Sequence, residues 1–367
     1  NKYGIRFRMR TITTTDDLRD FCDRARAFPY VTVDTEFLRE RTYYSKLCLV
    51  QLAFPGGGDD DAVLIDPLAK GLRLDPLIGL FRNPDVVKVF HAARQDLEIF
   101  FHDGDVIPTP LFDTQVAAMV CGFGEQVGYE TLVRKIAKAS VDKSSRFTDW
   151  SRRPLSDAQQ RYAIDDIRFL APMHQWITAH LRERGLEEAL VEESTRFADE
   201  LAGQDDHEKH YLRLRGGWTL TPQQQLVLQK LVVWRELESR ERDRPRGRVL
   251  ADPLLIAIAD RMPASISELS DIQGIPGGVV RRYGEALLTL VKEGRSADSS
   301  GIERIAPPLS RDQQMFFKQL KRFFRDAAEA ADIPVELLAP RKRLEKVVQD
   351  GTLADSPFFH GWRAQIL

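Results

Sequence analysis

Between Tyr30 and Phe90 apolar and polar positions fall into short runs, YVTVDTEF, KLCLVQLAF, AVLID and VVKVF, separated by PGGGDDD and NPD. β-Branched residues bounded by Gly, Pro and Asp breaks read as four strands of one sheet. Leu72 to Phe81 and Ala93 to Phe101 are helix-like, so the first half reads as a sheet flanked by helices. From Thr114 strand signals nearly vanish. A long amphipathic stretch runs from an N-cap at Ser156 through Arg184 to a stop at Gly185, and a further helix is expected from Leu186 to about Ala202. The polar segment AGQDDHEKH then marks the exit from this domain.

From Thr221 the chain is helical again. TPQQQLVLQKLVVWRELESRERD opens on a Thr-Pro pair suited to an N-cap and first turn, and RPRGRVLADPLLIAIADRMP, SISELSDIQGIP and GVVRRYGEALLTLVKEG supply three shorter helices around a small core. GRSADSSGIERIAPP lacks periodicity and reads as a linker. Leu309 to Leu367 opens on another such helix and loosely echoes the preceding module, a degenerate internal repeat. The expected division is 9–205 for the α/β domain, 210–294 for the first helical module, 295–308 for the linker and 309–367 for the second module. Residues 1–8, ahead of Met9, carry no pattern and are read as a tag or an upstream extension.

At 367 residues and 43% hydrophobic content, the chain can build more than one core. Its formal net charge of -2 gives no overall basic signal, so contact with nucleic acid has to come from local patches or metal ions. Cys22, Cys48 and Cys121 are odd in number, widely spaced and set among apolar neighbours, which fits buried thiols in a reducing, cytoplasmic compartment. No apolar run approaches the ~20 residues of a membrane helix, and no membrane partner is expected.

Chemistry enters at VTVDTEF, where Asp34 and Glu36 occupy alternate positions of an apolar strand and project to one face. Ionised carboxylates beside a core need a compensating partner, and a divalent cation serves where no Lys or Arg is interleaved; a solvated strand end is the other reading. In KVFHAARQDLEIF a strand ends at His91, and Asp96 lies early in the next helix, where it also complements the helix dipole. In YAIDD, Tyr162 and Asp166 are one turn apart and share a face, with Asp165 roughly 100° away. Each pattern alone is ordinary; the set is not.

Together DTEF (Asp34, Glu36), HAARQDLEIF (Asp96) and YAIDD (Tyr162, Asp166) resemble the three signatures of the DEDD exonuclease superfamily in its Tyr-containing branch, within it ribonuclease D. RTYYSKLCLVQLA, LFDTQVAA and DKSSRFTDWSRRPLS extend the resemblance over most of residues 10–200. In the rear half, QQQLVLQKLVVWRELESRERDRPRGRVLAD with ISELSDIQGI looks like an HRDC domain. The resemblance implies an α/β ribonuclease H-like exonuclease domain, a mixed sheet flanked by helices, followed by two small all-α HRDC-like domains. It further implies a 3′→5′ exoribonuclease working by a two-metal-ion mechanism on RNA, with tRNA precursors as substrates. A DNA exonuclease and an inactive RNA-binding scaffold are the alternatives.

Four carboxylates without Cys match Mg²⁺ or Mn²⁺ better than zinc. By resemblance Asp34 bridges two such ions, Glu36 and Asp166 complete one site, Asp96 supports the other, partly through water, and the Tyr162 hydroxyl orients the attacking water. Lys143, Arg244, Arg246 and Arg248 are candidates for RNA phosphate contact; RPRGR has no acidic neighbour in sequence. Asp113 is read as an N-cap, His91 as a satisfied structural histidine, and Trp150 and Arg153 as loop anchors.

Overall fold

A computed structural model describes residues 10–56, 61–142, 144–203 and 206–367; the expected extension at 1–8 and the candidate Lys143 lie outside the described residues. The chain divides into two compact units: one runs to Leu38 and takes in Ser45–Leu201 and Met315–Leu367, the other comprises Arg39–Tyr44 and Ala202–Gln314.

The first unit contains a mixed six-stranded sheet. Its strands are β1 (Arg10–Ile12), β2 (Tyr30–Leu38), β3 (Lys46–Ala53), β4 (Ala62–Ile65), β5 (Val87–Phe90) and β6 (Leu111–Asp113), in the order β1-β4-β3-β2-β5-β6. β2, β3 and β4 pair antiparallel, while β1, β5 and β6 join parallel to their neighbours. The four expected strands form β2 to β5; β1 and β6, three residues each, are too short for periodicity to reveal. Their parallel pairing adds both edges of the sheet.

Around the sheet lie α1 (Thr15–Ala25), α2 (Asp75–Phe81), α3 (Arg94–Gly104), α4 (Thr114–Val120), α5 (Tyr129–Leu132), α6 (Asp157–Arg168), α7 (Leu170–Arg184) and α8 (Glu187–Ala202). Leu18, Phe21, Leu80, Phe81, Leu97 and Phe100 from α1 to α3 bury their side chains with Val31, Val33 and Val63 of the sheet. The stretch expected as one helix from Ser156 to Arg184 is two, divided at Phe169. Pro172 accounts for the break: it has no N–H to offer the Arg168 carbonyl, and its ring crowds that oxygen.

The second unit holds α9 (Pro222–Glu241), α10 (Arg246–Val249), α11 (Asp252–Arg261), α12 (Ile266–Ser270) and α13 (Gly277–Ser296). Thr221 caps α9 reciprocally with Gln224, and Pro222 occupies its first turn, as the Thr-Pro pair predicts. Leu228, Leu231, Leu255, Ile258, Leu269 and Leu287 form the core of this unit.

The rest of the chain carries α14 (Arg311–Ala330), α15 (Val335–Leu338), α16 (Arg341–Asp350) and α17 (Gly361–Ala364). The segment read as a second helical module thus belongs, from Met315, to the compact unit of the α/β domain. Its tie is ionic and buried. Arg363, 1% exposed, donates to Glu193 of α8 at 2.9 Å and to the Leu337 and Leu338 carbonyls at 3.0 and 3.1 Å. Arg343 reaches the same carboxylate at 3.4 Å.

Candidate active site

β2 carries Asp34 and Glu36 at alternate positions, and its pairing with β3 and β5 places both on one face of the sheet centre. The register slips just after Glu36, a bulge that ends the regular pairing beside the carboxylate. Asp166 comes from α6, whose start is fixed by a capping box between Ser156 and Gln159. Strand and helix bring three carboxylates together: one oxygen from each of Asp34, Glu36 and Asp166 lies within 4.8 Å of the other two.

Asp96, in the first turn of α3 and 6% exposed, stands outside that group of three. The Thr35 hydroxyl donates to its carboxylate. Its charge still reaches the cluster. Burial pushes Asp34 well above the usual carboxylate range, and Asp166, Asp96 and Glu36 add repulsion. Burial raises Glu36 to about 9, with Asp166 and Asp96 adding to the rise. Asp96 and Asp166 are each raised to about 7 by burial; Thr35 opposes this at Asp96, and Tyr162 and Arg146 oppose it at Asp166. Without a cation, this site holds protons at neutral pH.

Tyr162 sits one turn before Asp166, its ring 5.8 Å from that of the buried Trp150. Burial and the nearby carboxylates keep its phenol protonated far above neutral pH. Asp34, Tyr162 and Asp166 line a cavity of about 440 Å³ together with Gln115, Tyr129 and Arg146. It opens the carboxylates to a ligand.

Sequence reasoning passed over several of these residues. Tyr129, at the start of a four-residue helix, donates from its hydroxyl to the Asp165 carbonyl at 2.7 Å and so steadies α6. Gln51 faces Asp34 across the β2/β3 register, is fully buried and opposes the rise at Glu36. Neither atom of its amide has a well-formed hydrogen bond among the described residues. A single Gln inside KLCLVQLA gives no periodic signal. Arg146 lay within a family-like phrase but in an irregular loop.

Asp113 and Arg153 hold local structure, while His91, though hydrogen-bonded, also lines the cavity. Asp113 caps α4 by accepting from Gln115 N at 2.8 Å, and it also accepts from Ala92 and Ala93 N. His91 meets the Thr114 hydroxyl at 2.8 Å, and burial keeps its imidazole pKa below the usual value. Arg153 donates to Asp66 at 2.7 and 2.8 Å and to the Cys48 carbonyl at 2.6 Å, anchoring the loop before α6.

In the second unit Arg244 and Arg248 are exposed. Arg246 departs from the expectation of a free phosphate ligand. Its guanidinium is engaged by the Glu236 carboxylate and the Tyr43 hydroxyl, the latter at 3.1 Å. The acidic neighbour missing from RPRGR in sequence is supplied in space by α9.

The 3'-5' exonuclease family matches residues 9–182 and the HRDC domain family residues 224–291. The ribonuclease D of Jannaschia sp. (strain CCS1) is 46% identical over 366 residues, covering 97% of this chain and 92% of that protein. That of Acidiphilium cryptum (strain JF-5) is 40% identical over 361 residues, covering 97% and 90%. The crystal structure of Escherichia coli RNase D, described as an exoribonuclease involved in structured RNA processing, matches with a TM-score of 0.86 at 31% identity. It covers 98% of this chain and 96% of that one. The mixed sheet with its acidic face, the HRDC match behind it and this likeness over nearly the whole length lead to one conclusion: the chain belongs to the ribonuclease D family of metal-dependent 3′→5′ exoribonucleases.

Proposed function

We propose that Asp34, Glu36, Asp96 and Asp166 hold two divalent cations, Mg²⁺ or Mn²⁺, while Tyr162 positions the attacking water as nucleotides leave RNA 3′ ends, tRNA precursors among them. The observation that carries this reading is the group of three carboxylates within 4.8 Å of one another, two of which, Asp34 and Asp166, line an open cavity. Their donors are all hard oxygens, with no Cys or His in the group, which fits these cations. Bound there, such ions lower the pKa of water and offset charge on the leaving oxygen. In this reading Asp34, Glu36 and Asp166 would hold one ion, and Asp34 with Asp96, which accepts from Thr35, would hold the other. Tyr162, protonated throughout the working pH range, orients the water by its hydroxyl and does not act as a base.

The same reading assigns 9–205 to the nuclease, 210–294 to a first HRDC domain and 309–367 to a second HRDC-like segment, with a cytoplasmic location. Lys143, Arg244 and Arg248 contact RNA phosphates, and Arg246 holds the loop that presents the latter two.

The test offers RNA and DNA oligomers of equal sequence to the full chain with Mg²⁺, with Mn²⁺ and with chelator. Expected is shortening of RNA from its 3′ end in the presence of either cation and none with chelator. Faster hydrolysis of DNA, or RNA binding without any hydrolysis, overturns the reading.

A further inference from the structure

One side chain near the cavity is held out in water. Phe147 is 93% exposed. A scattered surface Leu or Phe needs no explanation, but the turn bearing this ring is tied down on both sides. Ser145 before it is buried, and the Thr148 hydroxyl after it donates to the Ser145 carbonyl at 2.8 Å. Gln159 of α6 donates to that hydroxyl at 3.1 Å, and Trp150 is buried against Tyr162. The ring is therefore presented by a built turn fastened to the helix that carries Asp166.

Next to it stands Arg146, which lines the cavity with Asp34, Tyr162 and Asp166, its guanidinium carbon 5.3 Å from the Phe147 ring centroid. A cation at the cavity wall and an aromatic face immediately outside it repeat the pairing by which proteins hold single strands: a charge tracks the backbone while rings stack on bases. We propose that Phe147 is a stacking platform for a nucleobase just upstream of the 3′-terminal nucleotide, with Arg146 contacting the phosphate beside that base. The occupant is the RNA strand itself, because the platform continues the cavity into which the 3′ end enters. Stacking on a ring is tolerant of sequence, so the platform adds grip on any unpaired 3′ end. Paired bases cannot splay onto it.

This inference rests on the exoribonuclease reading, and its test separates the two. In the full chain with Ca²⁺, affinity for a single-stranded RNA oligomer is measured for wild type, Phe147→Ala and Phe147→Trp, with an abasic nucleotide moved through the last few positions. Phe147→Ala is expected to weaken binding about tenfold, and Phe147→Trp to retain it. At one position the abasic substitution should cost wild type a similar factor and cost Phe147→Ala almost nothing more, the signature of a direct pair. Arg146→Ala should reduce the slope of log affinity against log salt by about one. If wild type hydrolyses RNA while Phe147→Ala binds it equally well, or the abasic penalties stay additive at every position, the platform is refuted and the exoribonuclease reading stands. If wild type neither binds nor hydrolyses RNA, both fall.

Discussion

At Asp34 the fold sets a carboxylate where burial and three acidic neighbours oppose its ionisation, so taking up a cation there amounts to exchanging protons for metal. Glu36, raised to about 9, and Asp166, raised to about 7, keep protons in the metal-free folded state that the unfolded chain gives up near pH 4. The sign follows: these groups cost folded stability increasingly as pH rises from about 4 toward 7 to 9, and a bound cation removes that cost. Saturating Mg²⁺ should accordingly raise the unfolding temperature more at pH 8.5 than at pH 6, as read by calorimetry; an equal or reversed increment contradicts a carboxylate metal site. Asp34→Asn or Asp166→Asn should lower hydrolysis by roughly three or more powers of ten while the metal-free unfolding temperature holds or rises, since each removes repulsion. A variant that folds by circular dichroism and keeps near wild-type turnover would defeat the assignment. Tyr162→Phe should slow turnover by roughly a hundredfold with RNA affinity in Ca²⁺ intact, because the ring's packing on Trp150 survives while the hydroxyl does not. Loss of affinity and rate in equal measure would instead mark a structural tyrosine.

Elements whose length or spacing exceeds a few residues were legible in the sequence, and those that depend on a distant partner were not. β2 announces its acidic face by strict alternation, whereas β1 and β6 exist only because the sheet offers them an edge to pair with. The break between α6 and α7 was open to reading from Pro172, but amphipathicity continuing across it masked the signal. Five acidic and aromatic residues of the site could be found from three motifs; Arg146, Tyr129 and Gln51 could not, since each reaches the site from a loop, a helix start or a strand interior without a pattern of its own. The arginine run after α9 shows the same limit. Glu236 of α9, 1% exposed, gathers Tyr43, Arg240 and Arg246 around it. Burial alone would raise its pKa, yet hydrogen bonds from His210, Arg246 and Tyr43 outweigh it and hold the carboxyl below its usual range. A lowered carboxylate stabilises above its unfolded value, about 4.3, and that contribution fades as pH falls below it. Glu236→Gln should therefore destabilise the chain by roughly 3 kcal/mol at pH 7, a deficit that shrinks below pH 4 in denaturant titrations. A deficit independent of pH would mean that packing, not charge, holds this corner.

For the molecule as a whole, the contiguous helical rear expected from the sequence meets a structure in which Met315–Leu367 belongs with the α/β domain and 202–314 form the other unit. Cutting the chain near Gly203 would then remove more than an accessory module. It would strip from α8 the partners of Glu193, a carboxylate that is 0% exposed at its side chain and is met by Arg363 at 2.9 Å and Arg343 at 3.4 Å. Arg196 on the same helix would remain as its ion pair. The Leu337 and Leu338 carbonyls show that Arg363 also closes the turn ahead of α16, so the guanidinium organises both sides of the contact. Breaking a buried pair by losing one partner leaves the other charge uncompensated, typically at a cost of about 3 to 5 kcal/mol, whereas replacing both by apolar groups is often neutral. Three variants of the full chain form one series: Arg363→Met should lower unfolding free energy by roughly 3 kcal/mol, Glu193→Leu should do likewise because Arg343 then loses this carboxylate and Arg363 is left with Glu192 as its partner, and the double variant should recover a large part of either loss. All catalytic candidates lie in the unit being loosened, so RNA hydrolysis at a temperature just below the wild-type transition should fall in the single variants and return in the double one, while at low temperature all four proteins turn over alike. Strict additivity of the two single losses would show that Arg363 and Glu193 act independently, and that this ion pair does not tie the C-terminal segment to α8.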